Sequence, residues 1–271
     1  MDFCCPVCGL PLECSDNLIK RCAAGHSFDR AKQGYYNLLL GVGAGVHGDN
    51  REMVEARRAF LGAGHYSRLA ARLAELVSEH LPRGGSVLDL GAGEGYYTDA
   101  IERALYERDG SSSVLAFDIS KEAAKHLARR NSRINVAVAS SYSVPMAGGS
   151  VDLAAAVFAP LAREEIHRVL RPSGKFLMVF PDDMHLYGLK SALYSTPYKN
   201  KPEPTELEGF SVLSDEVLSY ELELTSAEDI KNLFMMTPYA YRTPKEGRER
   251  LLSRTELVTE VAFRILVYEK A

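Results

Sequence analysis

Cysteine is absent from this 271-residue chain after position 22, which excludes a disulfide framework for most of the molecule. No apolar run approaches the eighteen or so residues of a membrane span. The N-terminus also lacks the basic start and apolar stretch of an export signal, so we expect a cytoplasmic protein. A formal net charge of −4 excludes a polycation built for nonspecific nucleic-acid binding.

All five cysteines lie in the first tenth of the chain, and four residues there have metal-ligand spacing. Cys5 and Cys8 enclose two residues, Cys22 and His26 enclose three, and thirteen residues separate Cys8 from Cys22. Two short ligand pairs joined by a spacer are typical of a tetrahedral structural zinc site. We predict zinc at these four residues, in a closed site that is architectural rather than catalytic.

Cys4 and Cys14 are left over, and Cys4 could replace Cys5 as the first ligand. Two alternatives to zinc are open. A disulfide framework is disfavoured by the odd number of cysteines and the missing export signal. The cysteines could also be small buried apolar side chains. Zinc explains better how so short a segment folds, because the metal supplies stability that a small core cannot.

The rest of the chain divides by its apolar pattern. Residues 41–50 contain four glycines and predict a linker, and residues 51–81 have apolar residues at helical spacing. From residue 82, short apolar runs alternate with helical stretches, which is typical of a parallel sheet covered on both faces. We predict three segments: a zinc-binding segment 1–40, a linker and helical segment 41–81, and an α/β domain 82–271. Seven candidate strands are predicted, at 86–90, 114–118, 134–139, 151–158, 174–180, 216–224 and 262–270.

The stretch VLDLGAGEGYYT, residues 87–98, runs from an apolar strand into a glycine-rich turn. Gly91, Gly93 and Gly95 permit a tight turn and a close approach of a ligand at the start of the next helix. A dinucleotide fingerprint requires a glycine where Tyr96 stands, and no Gly-Lys-Ser/Thr of a P-loop follows. The loop therefore favours a different nucleotide-like ligand.

Asp118 ends the next candidate strand, where a carboxylate can bind both hydroxyls of an adenosine ribose. Without a pyrophosphate to hold, a G-x-G-x-G loop suits the amino-acid part of S-adenosylmethionine. The alternative is a tight strand-to-helix turn with no ligand. Strand, loop and acid all fall in register, which favours the cofactor.

The segments DLGAGEGYYT, FDIS and VLRPSGKFLMV resemble class I S-adenosylmethionine-dependent methyltransferases, which have a Rossmann-like, seven-stranded α/β sheet. Over nearly its whole length, the chain resembles the bacterial 23S rRNA guanine-N1 methyltransferases, which modify a stem-loop of the large-subunit RNA. That resemblance rests on the zinc spacing together with FDRAKQGYYNLL (28–39), ARRAFLGAGHY (56–66), PDDMHL (181–186) and MTPYAYR (236–242).

The resemblance implies methyl transfer from S-adenosylmethionine to N1 of a guanine in a 23S rRNA hairpin, with structural zinc at the four ligands named above. It implies cofactor contacts from Tyr66, Gly93, Glu94 and His185, and the loop argument adds Asp89, Gly91, Gly95 and Asp118. The family contains two branches that methylate different guanines of one hairpin. The alternatives are a methyltransferase for a small molecule, or a zinc-bearing RNA-binding protein without catalysis.

Guanine N1 carries a proton at neutral pH, so the site needs either a base or a pocket that stabilises the O6 enolate. His185 has the intrinsic basicity of a base. Asp152 and Asp182 lie near strand ends, where each could equally be a scaffold group. The sequence leaves the catalytic residue unassigned.

The predicted partner is a 23S rRNA hairpin, and a local basic face should bind it despite the net charge. We expect Tyr35 and Tyr36 to stack on loop bases, and the insertion at about 181–243 to shape the substrate pocket. A homodimer is compatible with these expectations. The candidate basic residues are Lys20, Arg21, Arg30, Lys32, Arg57 and Arg58.

Overall fold

The computed structural model describes residues 2–14, 18–41, 48–201 and 204–271, so residues 42–47 of the predicted linker lie outside the described residues. The strands are β1 (Glu13–Cys14), β2 (Ile19–Arg21), β3 (Ser27–Asp29), β4 (Tyr35–Asn37), β5 (Ser86–Leu90), β6 (Ser113–Asp118), β7 (Asn135–Val138), β8 (Val151–Val157), β9 (Leu170–Pro181), β10 (Phe210–Leu224) and β11 (Leu257–Lys270). The helices are α1 (Arg51–Gly62), α2 (Ser67–His80), α3 (Tyr96–Arg108), α4 (Lys121–Arg130), α5 (Arg163–Val169), α6 (Tyr187–Leu193), α7 (Ala227–Met235), α8 (Tyr239–Arg242) and α9 (Lys245–Leu252).

The main sheet has eight strands in the order β10-β11-β9-β8-β5-β6-β7-β4. Neighbouring strands from β9 to β4 are parallel, whereas β11 is antiparallel to both of its neighbours. Strands β5 to β11 correspond to the seven predicted from the sequence and confirm the Rossmann-like α/β fold. The chain turns in opposite directions after β5 and β8, so the crevice between them is the topological switch point where such sheets bind ligands.

The eighth strand, β4, comes from the segment assigned to the zinc-binding region. Tyr35 pairs with Val136 and Asn37 with Val138, in parallel register with β7. Three residues carry too little pattern to be recognised as a strand from the sequence. The end of the zinc-binding segment is therefore also the edge of the main sheet.

The sheet is buried on both faces, as its continuous apolar strands require. All five residues of β5 are buried. One face packs against helices through residues such as Phe60, Leu69 and Leu73. The other face packs against Ile166 of α5 and against Phe3 of the N-terminal segment. Within the described ranges, no helix is long and apolar enough to cross a membrane.

Strands β1, β2 and β3 form a small antiparallel sheet that is tied directly to the main domain. The Cys4 amide donates to the Pro145 carbonyl over 2.7 Å, and the Asn135 side chain donates to Asp2 over 2.9 Å. Phe3 is completely buried in the core of the main sheet. The N-terminal module is thus held by backbone, polar and apolar contacts.

Candidate active site and zinc centre

Four side chains converge beside the small N-terminal sheet: Cys5, Cys8, Cys22 and His26 have their ligand atoms within 4.8 Å of one another. The Cys5 Sγ lies 3.6 Å from His26 Nδ1, and the Cys22 Sγ lies 3.4 Å from the same nitrogen. The Cys8 and Cys22 sulfurs are 3.6 Å apart. Three thiolates and one imidazole at these separations suit a tetrahedral zinc ion.

Two glycine turns bring each pair of ligands together. The Gly9 amide donates to the Cys5 carbonyl, and the Gly25 amide donates to the Cys22 carbonyl. Both glycines have positive φ, 74° and 88°, which a side chain would strain. Burial opposes ionisation of Cys22, but hydrogen bonds with Cys8 and His26 lower its pKa to about 6. Zinc binds the thiolate form of cysteine, so a thiol that ionises readily suits this role.

The two remaining cysteines lie outside this cluster. Cys4 is buried, and its amide is bonded to the main domain at Pro145. Burial raises the pKa of the Cys4 thiol, so it stays protonated. Cys14 is exposed on β1. The geometry therefore gives the first ligand position to Cys5.

The glycine loop follows β5 at the switch point. Gly91, Gly93 and Gly95 have φ of 71°, 58° and 88°, the left-handed region that glycine adopts without strain. The amides of Gly91 and Ala92 both donate to the Phe117 carbonyl over 3.0 Å. A Cβ at Gly91 would lie 2.8 Å from the Cβ of Ala159. The loop is thus fixed between β6 and the end of β8, and a side chain at Gly91 or Gly95 would collide with Ala159 or Leu127.

Asp118 fastens the loop from the neighbouring strand. Its Oδ2 accepts the Gly93 amide at 2.9 Å, and its Oδ1 accepts the Ser120 amide at 2.7 Å. Burial raises the pKa of Asp118 above its ordinary value. Each oxygen keeps a second lone pair, so this carboxylate can still accept hydroxyl groups of a ribose.

Asp89 is fully buried at the end of β5. Its Oδ2 accepts the Thr98 hydroxyl at 2.6 Å, while its Oδ1 has no hydrogen-bond partner within the described residues. Burial raises the pKa of this carboxyl to about 6. An unpartnered buried oxygen beside the loop is a polar group that a ligand can satisfy.

Glu94 points its carboxylate at α4 instead of into the crevice. Its Oε2 forms an ion pair with Arg130, and the Glu94 carbonyl also accepts from that guanidinium at 3.2 Å. Its other oxygen has no partner in the part of the chain described. Glu94 can therefore contact a cofactor only through its backbone or through Oε1.

Tyr66 and His185 come together in an aromatic cluster beside the loop. Their ring centroids are 6.3 Å apart, and both rings pack against Phe263, at 4.9 Å and 5.0 Å. The Tyr66 hydroxyl is buried and finds no partner among the described side chains and backbone. Burial raises the pKa of Tyr66 well above its ordinary value, so the hydroxyl is a donor.

Two further rings extend the cluster and were not predicted from the sequence as site residues. Phe158 lies 6.4 Å from His185 and 5.7 Å from Phe263, and Tyr97 lies 6.3 Å from Phe158. Tyr97 is the second residue of the helix after the glycine loop, so the glycine motif could have indicated it. Phe263 and Phe158 come from distant strands and carry no sequence signal of their own.

Comparison with known proteins agrees with this geometry. Residues 3–40 match the family model described as a zinc ribbon, "RlmA, N-terminal", and residues 87–174 match "Methyltransferase domain". A Micromonospora griseorubida protein that carries a 23S rRNA (guanine-N(1)-)-methyltransferase name is 36% identical over 281 residues, covering 95% of this chain and 93% of the relative. The Streptomyces fradiae 23S rRNA (guanine(748)-N(1))-methyltransferase is 40% identical over 192 residues, 70% of this chain and 66% of the relative.

The chain belongs to the 23S rRNA guanine-N1 methyltransferase family. Among solved structures, the YcgJ protein of Bacillus subtilis aligns with a TM-score of 0.50 at 13% identity, covering 73% of this chain and 97% of that one. At that identity the likeness shows the fold alone.

The residues present fit S-adenosylmethionine, the cofactor of this methyltransferase family. A Cβ at Gly93 would have only Arg57 within 4 Å, at 3.9 Å, so the middle of the loop leaves space for the amino-acid part, and Asp118 retains acceptor capacity for the ribose hydroxyls. The unpartnered Asp89 Oδ1 and Tyr66 hydroxyl lie at the same crevice and supply one acceptor and one donor. The assignment of each individual contact remains a prediction.

The structure contradicts several of the RNA contacts expected from the sequence. Tyr35 and Tyr36 are buried in β4, at 3% and 4% exposure, and cannot stack on bases. Lys20 is also buried, where it pairs with Asp2. Arg57 pairs with Asp49 and donates to the Met236 carbonyl, close to the glycine loop, so it is no part of an outer basic face.

Asp152 is a scaffold group, because it lies at the amino end of β8, whereas the glycine loop lies at the carboxyl ends of the strands. Its carboxylate accepts from Ser86 and pairs with Arg171. Asp182 directly follows β9, so it lies at the carboxyl ends of the parallel strands, where the glycine loop is. Its amide donates to the Ala262 carbonyl.

Proposed function

We propose that this protein transfers the methyl group of S-adenosylmethionine to N1 of a guanine in a hairpin loop of 23S rRNA. The observation that carries the proposal is one continuous fold in which a glycine loop held by Asp118 shares its sheet with a strand of the zinc-binding segment. The names of the relatives at 36% and 40% identity support the same substrate. A small-molecule methyltransferase would have no evident use for the zinc-binding segment.

The bound cofactor supplies a methyl group already activated by its positive sulfur, so the protein mainly has to position the acceptor. The guanine must also lose its N1 proton, which passes to solvent water because no side chain is assigned as the base, and this loss places negative charge on O6. A hydrogen-bond donor at O6 lowers the free energy of that charged form. We infer that His185 is this donor.

His185 is a donor because of its surroundings. Its Nδ1 accepts the Ala262 amide at 3.2 Å, which places the ring proton on Nε2. Burial, together with the charge of Lys190, lowers the pKa of His185 to about 3, so the ring is neutral at physiological pH. Nε2 makes no hydrogen bond within the described residues. We infer that it donates to O6 and does not act as the base.

The test of the function is transfer of tritiated methyl from S-adenosylmethionine to protein-free 23S rRNA lacking the modification, followed by nuclease mapping of the label. We expect label at N1 of one hairpin guanine. Position 748, named for the Streptomyces fradiae relative, is the first to examine. Cofactor binding without any label in RNA would overturn the proposal in favour of a small-molecule acceptor.

A further inference from the structure

Phe158 has an unusual backbone. It follows β8 directly and has φ of 55°, the left-handed region that a bulky aromatic residue rarely occupies. Its amide donates to the Val179 carbonyl over 3.0 Å, so a strand hydrogen bond holds the residue in this conformation. Backbone strain of this kind clusters at functional sites, because the surrounding structure must maintain it.

The strain places the Phe158 ring beside the cofactor loop. Strands β8 and β5 are neighbours, and they end at Val157 and Leu90, one residue before Phe158 and Gly91 respectively. The residue after Phe158, Ala159, lies so close to Gly91 that a Cβ there would approach to 2.8 Å. Phe158 therefore lies at the switch-point crevice, next to the loop that suits the methionine part of the cofactor.

Among the rings of the aromatic cluster, Phe158 is the exposed one. It is 41% exposed, whereas Tyr66, His185 and Phe263 are 2%, 7% and 0% exposed. Phe263 and His185 pack around Phe158, with His185 nearly parallel to it at 27°. The inner rings hold Phe158 in place, and part of its surface stays open to the crevice. An apolar ring kept strained and partly exposed gains nothing for the core.

We propose that Phe158 is the platform on which the target guanine stacks during methyl transfer. Unpaired RNA bases are typically held by stacking on aromatic side chains, with hydrogen bonds at their edges. Phe158 offers the ring, and the neighbouring His185 offers the edge contact already assigned to O6. This inference rests on the proposed function and adds the residue that orients the base.

The test compares Phe158→Leu with Phe158→Tyr in single-turnover transfer to the RNA hairpin. Leucine keeps an apolar side chain but loses the ring, whereas tyrosine keeps the ring. We expect Phe158→Leu to reduce transfer per bound RNA by about tenfold to a hundredfold, the range of one lost base stack, with near-normal transfer by Phe158→Tyr. Affinity for S-adenosylmethionine should stay unchanged in both. Tyr142→Leu is the matched control, because that ring is 67% exposed but lies outside the cluster.

A second readout monitors the base directly. An RNA hairpin with 2-aminopurine at the mapped position should lose fluorescence on binding to the wild type through stacking, and should keep it with Phe158→Leu. Equal quenching and equal transfer by both proteins would overturn the platform while leaving the function intact. Absence of transfer by the wild type would instead overturn the function.

Discussion

His185 illustrates how the surroundings of one residue decide its role. By type it is a base with a pKa near neutrality, but in the fold it is buried and receives the Ala262 amide at Nδ1. The same imidazole therefore carries its proton on Nε2 and is a hydrogen-bond donor there. Neither the burial nor the amide contact can be read from the segment PDDMHL.

We expect His185→Ala to lower kcat by about a hundredfold to a thousandfold, as loss of one oxyanion donor does, with little change in cofactor affinity. The pH profile of wild-type transfer should show no inflection from His185 between pH 5 and 8, since its pKa is about 3. Stopped assays with saturating RNA and equilibrium binding of labelled cofactor check both points. Weakened cofactor binding at an unchanged kcat would assign His185 to the cofactor instead.

Asp89 provides a stability prediction. Its carboxyl has a pKa of about 6 in the folded protein against an ordinary value of 3.8, because it is buried. The folded state therefore holds the proton more tightly, and the free energy of unfolding falls as pH rises from about 4 through 6. Over this pH range the protein loses about 3 kcal/mol of stability that protonated Asp89 contributes. The free energy of unfolding of Asp89→Asn, relative to that of the wild type, should therefore rise by about 3 kcal/mol between pH 4 and pH 7.

Urea unfolding of both proteins across this pH range measures the difference. Thr98→Val is the informative companion, because the Thr98 hydroxyl lowers the pKa of Asp89, and its loss should move the transition to higher pH. Parallel curves for wild type and Asp89→Asn would show that this carboxyl does not titrate differently in the two states.

The cofactor loop was predictable at the level of residues because its chemistry is local. A strand, three glycines and a downstream acid follow one another along the chain, and the structure joins Gly93 to Asp118 by a hydrogen bond that the sequence pattern did not specify. Phe158 was not predictable, because a positive φ at a phenylalanine is imposed by neighbouring strands. The interpretation of Tyr35 and Tyr36 was wrong for the same reason, since nothing in their sequence shows that they join the main sheet beside β7 and are buried in the cores on its two faces.

At the scale of elements, the zinc-binding segment depends on its metal for its shape. Its strands are two or three residues long, and such short strands cannot hold a sheet without an additional link. The two glycine turns and the four ligands supply that link. Ligand spacing made this element predictable, whereas the docking of Phe3 into the main core was not.

We expect Cys8→Ser to lose the zinc and to unfold the small sheet, because serine does not replace a thiolate ligand at neutral pH. Cys14→Ser should retain one zinc per chain, since Cys14 is an exposed cysteine outside the cluster. Atomic absorption gives the zinc content, and methyl transfer to RNA gives the functional effect. A zinc-replete Cys8→Ser protein would rule out this ligand set.

At the scale of the whole molecule, a net charge of −4 must be reconciled with a polyanionic partner. Of the six cations considered, Lys20 is buried and pairs with Asp2, and the half-buried Arg57 pairs with Asp49. Arg21, Arg30, Lys32 and Arg58 are exposed. The basic face is therefore small, and local charge has to steer the RNA.

We expect the double change Arg30→Ala, Lys32→Ala to weaken hairpin binding and to lower the slope of log K against log salt by about 2 if both contact phosphates. Lys245→Ala is the matched control, because Lys245 is 87% exposed on α9, at a distant part of the chain. Filter binding between 50 mM and 200 mM salt, a range in which the phosphate contribution changes strongly, measures the slope. An unchanged slope would place the RNA on another face.

Strand β4 has a consequence for how substrates are selected. Because it pairs with β7 while Phe3 and the Cys4 amide bind the zinc-binding segment to the same body, the four predicted zinc ligands and the glycine loop lie in one packed unit of the described residues. The distance between them is fixed by the fold. An RNA that contacts both the zinc-binding segment and the site at the glycine loop must hold its target base at a fixed distance from the part that the zinc-binding segment binds. A hairpin whose stem is longer by one base pair should therefore be excluded by its length, even when its loop sequence is intact.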